Sequence, residues 1–266
     1  MQLDRTRIMI RERGFLDILE LSLKVIRHHA GPLALAFWGP VIPLMFANHW
    51  LLVSGFGMDL TAPDEQSWYV GVMLCLMLWE APFATAFITL YLGQAMFIDA
   101  PSLRRLTADF SRSLPQLFIF QGMLRGAAIF ACGVPVLLLY LIWPYLSEII
   151  LLERNGFDGT MNRLRVLHSK SSGLIISRWL SAVSVGLVLI GSLTASFTIL
   201  REHLLDGQKA ERWAFCVDLP LAIWIVLGLM TVARYLSYLD LRIRREGWEI
   251  ELKMRAEAAR LTRQLA

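Results

Sequence analysis

The sequence predicts an all-α polytopic membrane protein with about six transmembrane helices, interfacial amphipathic helices and a charged C-terminal helix on the cytoplasmic side. Three observations predict it. Hydrophobic residues make up 56 % of the 266 and charged residues 18 %, at a mean hydropathy of +0.53; a soluble domain of this length needs more polar surface. Several nearly uncharged runs approach or exceed the roughly 20 residues that cross a bilayer core. The Lys and Arg residues gather in segments that alternate with those runs. The N-terminus does not read as a secretory signal, because its first apolar run is late, interrupted by charges and without a small-residue cleavage site.

Residues 12–29 predict an amphipathic surface helix. At about 100° per residue, Asp17, Glu20, Lys24, Arg27 and His28 share one sector. Phe15, Ile18, Leu19, Val25 and Ile26 lie opposite, with Leu16 and Leu23 at the margin. Such a helix lies in the headgroup layer or flat beneath the bundle. Span 1 runs from Pro32 to Leu52, kinked or broken at Pro40 and Pro43. From Gln66 to Ile98 only Glu80 is charged, and a helix of that length reaches about 50 Å, more than a bilayer core needs. Span 2 is therefore placed at Trp68–Ile88, bent near Pro82, and Thr89–Phe97 is laid along the inner interface. A re-entrant arrangement keeps the same loop parity. The apolar run 114–152 is split into spans 3 and 4 at Cys132-Gly133-Val134-Pro135. Span 5, Leu174–Leu200, repeats small residues at i, i+4 (Ser177 and Ser181, Gly191 and Ala195, Ser192 and Ser196), a spacing that permits close helix approach. Span 6 is Ala214–Ala233.

The charges orient these spans. Six Lys and Arg lie in the first 29 residues, three in 99–113, five in 153–178 and eight from Arg234 to the end, so that 22 of the 26 fall on one side of six spans. The positive-inside rule makes that side the cytoplasm, with both termini inside. The chain divides into a membrane domain, 1–240, and a cytoplasmic tail, 241–266. In the tail, Ile250, Met254, Ala258, Leu261 and Leu265 form a helical stripe, whereas Trp248, Ile250, Leu252 and Met254 alternate as a strand would; helix is the favoured reading. Arg242, Arg244, Arg245, Trp248, Ile250 and Met254 are its candidate docking residues, facing anionic lipid headgroups or another membrane or cytoplasmic protein. The tail glutamates balance its basic charge, and no nucleic-acid-binding signature accompanies it.

The segment "WPYLSEIILLERNGFDGTMNRLRVLHSKSSG" resembles a broad class of six-helix bacterial membrane proteins, which includes the membrane domain beside some glycerophosphodiester phosphodiesterases and several uncharacterised families. Pro144, Glu153, Arg163, Arg165, Ser169 and Gly173 carry the resemblance. It implies the six-span layout with an interfacial helix before span 1, and the cell inner membrane as the location. It does not imply phosphodiesterase chemistry, which belongs to a separate soluble domain.

No catalytic signature stands out: there is no GxSxG elbow, HExxH or P-loop. Cys75, Cys132 and Cys216 lie in apolar runs without a CxxC pair, and no metal or cofactor is expected. The candidate residues are the charges inside the spans, Glu80, Arg125, Glu148 and Asp218, which are costly at depth. Counting 1.5 Å per residue puts Glu80 about 12 Å and Arg125 about 16 Å from the inner face. These depths match closely enough to predict an ion pair or a shared polar path. Glu148 lies near the inner interface within reach of Arg178 or tail arginines, and Asp218 lies close enough to the outer end to reach water. The expected function is a non-enzymatic scaffold or assembly subunit with a cytoplasmic docking surface. The alternative is a transporter or channel-like protein using Glu80 and Arg125, and a membrane-embedded lipid enzyme comes third.

Overall fold

The computed structural model describes residues 14–58, 62–96, 98, 101–130, 143–168, 172–204 and 214–246. Every element among them is helical, and no strand occurs among the described residues. Four helical stretches are long and apolar enough to cross a membrane: Ala30–Gly55, Asp64–Ala95, Gly173–Leu204 and Cys216–Ile243. These correspond to the expected spans 1, 2, 5 and 6.

Helix α1, Phe15–His28, opens with the Gly14 N–H donating to Asp17 Oδ2 at 3.1 Å, which satisfies one of the unpaired amides of a helix start. Its Ile18 and Ser22 face is buried, while Leu16 and Leu23 stay exposed at the margin. Helix α2, Ala30–Trp50, runs through Pro40 and Pro43 as one helix and ends in a π-helical turn, Leu51–Gly55. The expected break is absent: Ala36, Phe37 and Val41 are buried around Pro40, and tertiary packing holds the helix across both prolines.

Helix α3, Pro63–Ala84, starts with Pro63 in its first turn beside Asp64 and Glu65, as both the missing N–H and the helix dipole favour. Only Thr85 separates it from α4, Ala86–Ala95. The expected interfacial placement of Thr89–Phe97 is corrected here for the described part of that segment. Ile88, Thr89, Leu90, Tyr91 and Leu92 are all buried. A helix that is apolar on every side seeks the core rather than an interface.

Helix α5, Leu103–Leu117, continues through a π-helical turn, Phe118–Met123, into α6, Leu124–Phe130. The basic segment 99–113 between spans 2 and 3 is helical from Leu103, because Leu106, Asp109, Ser113 and Leu117 recur at helical spacing on one buried face. The rod runs antiparallel to α3–α4. Gln94 meets Asp109, Phe87 meets Phe110, Phe83 meets Phe118 and Trp79 meets Gly122. The proposed outer turn at 132–135 lies outside the described residues.

Short helix α7, Leu146–Glu148, leads into a π-helical turn, Ile149–Glu153, and the chain turns at Arg154 in the left-handed region (φ 51°). Helix α8, Phe157–His168, is followed by α9, Ser172–Leu204. A π-helical turn, Ala214–Asp218, begins α10, Leu219–Glu246, which continues past the expected span end at Ala233 and across the 240/241 domain boundary. Leu241 is buried on it.

The core is built around α10. It packs against α1, α2, α3, α4, α8 and α9, with Trp224, Tyr235 and Tyr238 fully buried. In its most apolar stretch 56 % of residues are buried, against 6 % in α9, so α10 is central and α9 peripheral. A Cβ at Gly228 would lie 3.1 Å from the Phe37 ring. Gly228→Leu is therefore expected to wedge α2 from α10 and lower stability by about 1–3 kcal/mol, read as an earlier thermal unfolding midpoint in detergent.

Candidate functional site

Two antiparallel helix pairs are fastened by polar contacts at both ends. Between α9 and α10, Arg178 pairs with Asp240 and donates to the Ser237 carbonyl (3.2 Å) and hydroxyl (3.0 Å). Twenty-three residues further along α9, Arg201 pairs with Asp218, which also accepts from Thr198 Oγ1 at 3.5 Å. No charged residue lies between them on α9. At 1.5 Å per residue the two ion pairs stand about 34 Å apart, close to the roughly 30 Å of bilayer hydrocarbon. Between α2 and α3–α4, His29 bonds Tyr91 (3.1 Å) and His49 bonds Tyr69 (2.9 Å), about 30 Å apart on α2 by the same rise. Asp218 does not reach water as expected: it is 1 % exposed, because Arg201 on the neighbouring helix covers it.

The densest cluster gathers at the end of the bundle that holds Arg178 and Asp240. Helix α10 is its hub, since residues 234, 237, 238 and 240 lie within two turns and point at three neighbours. Arg234 Nε donates to Glu148 Oε1 at 2.5 Å, and Glu148 is fully buried. The Ser237 hydroxyl meets Tyr145 Oη at 2.8 Å as well as Arg178. Tyr238 donates to Glu153 Oε1 at 2.5 Å, while Glu153 Oε2 accepts from Arg163 at 2.7 Å and Asn155 at 3.2 Å. A fourth carboxylate, Asp109, accepts from Gln94 at 2.8 Å and Arg154 at 2.7 Å. The acids Asp109, Glu148, Glu153 and Asp240 are thus matched one to one by Arg154, Arg234, Arg163 and Arg178. Buried charge of this kind is tolerable only when paired and hydrogen-bonded. Glu148 was expected to meet Arg178 or the tail, and its partner is Arg234. Sequence reasoning missed Arg178–Asp240 and Glu153–Arg163. The available signals were an acid among the aromatic and apolar residues of "RYLSYLDL", and a Glu and an Arg ten residues apart across an Asn-Gly turn.

Glu80 and Arg125 are not brought together as expected. Glu80 Oε2 accepts from Asn48 Nδ2 on α2 at 2.8 Å. Arg125 lies beside α3 but donates to the Leu78 carbonyl at 3.3 Å. The reason lies in Pro82, whose missing N–H would have bonded that carbonyl four residues back. In the opposite direction Trp79 Nε1 donates to the Gly122 carbonyl at 2.9 Å, inside the π-helical turn of the partner rod. Each helix therefore supplies a side chain to a backbone acceptor on the other, next to a proline in one and a π turn in the other.

Of the expected docking residues, Arg242 is partly buried on α10, and Arg244 and Arg245 belong to its last turn; Trp248, Ile250 and Met254 lie outside the described residues. No group of three or more His, Cys, Asp and Glu side chains among the described residues is placed to hold a metal ion. Comparison with protein-family models, with curated proteins and with solved structures finds no match.

Proposed function

We infer that the chain is a non-enzymatic integral membrane protein of the six-helix bacterial class, a scaffold or assembly subunit whose basic end faces the cytoplasm and serves as a docking surface. The observation that supports this most is the internal matching of charge. Glu148, Glu153, Asp218 and Asp240 are each paired with an arginine of the same chain, and Arg125 serves a backbone carbonyl. A transport path needs polar groups that exchange partners with a moving solute, whereas these tie helices to one another. In this reading the third span lies within the rod Leu103–Phe130, which runs alongside α3–α4, and 143–153, about 16 Å of helix, is the inner end of the fourth.

A second reading rests on Glu80. Its described partner is the neutral Asn48, so it is a buried carboxylate without a cationic partner among the described residues, and such a group suits a proton-coupled transporter.

Two tests apply. In a cysteine-free background, a single cysteine at Ser54 should be labelled from outside the cell and one at Gln264 only from inside; outside labelling at Gln264 contradicts the orientation. In mild detergent the full chain should copurify with a fixed partner in stoichiometric amount. Truncation after Glu246 should lose that partner while the bundle stays folded. Truncation that unfolds the bundle would make the tail part of the core and end its reading as a docking surface.

A further inference from the structure

Two groups of arginines stand in contrast. Arg154, Arg163, Arg178, Arg201 and Arg234 are ion-paired within the chain. Arg104, Arg105 and Arg112 on α5 are exposed and make no ion pair among the described residues. Asp109 is the sole acid on α5, and it is buried and engaged by Gln94 and Arg154, so it does not offset them.

Arg104 and Arg112 share one exposed stripe, and Arg105 flanks it about 20° from Arg112 around the helix. Arg104, Ala108, Arg112, Pro115 and Ile119 follow at steps of four, four, three and four, which is one face of a helix. The stripe changes character along its length. Up to Arg112 it is cationic; beyond it stand Pro115, which is exposed, and Ile119, 45 % exposed. From Arg112 to Ile119 is about 10 Å of helix rise. The rod that carries the stripe packs antiparallel on a helix long and apolar enough to cross a membrane, so the apolar part faces acyl chains and the arginines sit at headgroup level. A soluble acidic protein could meet the arginines but could not follow the stripe into hydrocarbon, whereas a phospholipid matches both parts.

We propose that Arg104, Arg105 and Arg112 form a binding surface for anionic phospholipid, with the phosphate on the arginines and the acyl chains along Pro115 and Ile119. The inference rests on the membrane reading, but not on which end faces the cytoplasm, because a lipid mixture present in both leaflets tests it either way. The experiment takes the full chain from nanodiscs of equal phosphatidylglycerol and phosphatidylcholine and compares the lipids it retains by native mass spectrometry. Wild type should retain phosphatidylglycerol preferentially at low salt. The R104Q/R105Q/R112Q variant should lose that preference by roughly fivefold per arginine removed. The R104K/R105K/R112K variant should keep most of it, and Arg165→Gln, an exposed arginine of α8, should leave it unchanged. Equal retention of the two lipids by wild type would overturn the proposal. So would an unchanged preference in the glutamine variant, or a loss in Arg165→Gln as large as in Arg112→Gln alone, which would mean diffuse charge rather than a surface. Failure of the scaffold reading would instead appear as a missing partner in the detergent purification, with the lipid preference intact.

Discussion

Arg234→Leu is expected to destabilise the folded protein by about 3–5 kcal/mol, because it strips the cation from a fully buried carboxylate. Glu148 Oε1 would lose its donor while the side chain stays fully buried. Replacing both members by leucine should recover most of the loss, since an apolar pair of similar volume is often as stable as a buried ion pair. The measurement is a double-mutant cycle on unfolding in detergent, comparing Arg234→Leu, Glu148→Leu and the pair. Additive losses would mean that the two charges are not coupled.

Arg125→Leu is expected to cost about 1–3 kcal/mol, the penalty of leaving the part-buried Leu78 carbonyl without its charged donor. The origin of that penalty makes a sharper prediction. Pro82→Ala restores the missing N–H, so Leu78 regains an intrahelical partner and the arginine has less to do. In the Pro82→Ala background the effect of Arg125→Leu should shrink by about 1 kcal/mol. An undiminished loss would show that Arg125 acts through other contacts.

These two sites also show how far the sequence could be read. Residue spacing gives depth along a helix, and the depth estimate for Glu80 and Arg125 brought Arg125 beside α3 at the right level. Spacing does not give rotation. Leu78 and Glu80 are about 200° apart around α3, so Arg125 meets the backbone on one side while Glu80 points to Asn48 on the other. Glu148 is legible as a charge near one end of the bundle, within reach of Arg178 or tail arginines, and its partner stands just past the expected end of span 6, Ala233. The helix continues, and Arg234 is its next residue. Hydropathy located the four long apolar helices, and the amphipathic pattern placed α1 to within a few residues. The helical signal of α5 is the harder one to see, because Leu106, Asp109, Ser113 and Leu117 form a sparse set among its arginines and two of them are polar.

The central claim is that charge inside this bundle joins helices and does not conduct. Flux tests it most directly. The purified chain is reconstituted into liposomes, a proton gradient is imposed, and its decay is followed for wild type, Glu80→Gln and protein-free vesicles. The account predicts that all three decay at the same rate. Faster decay with wild type, abolished by Glu80→Gln, would contradict it and make Glu80 part of a path.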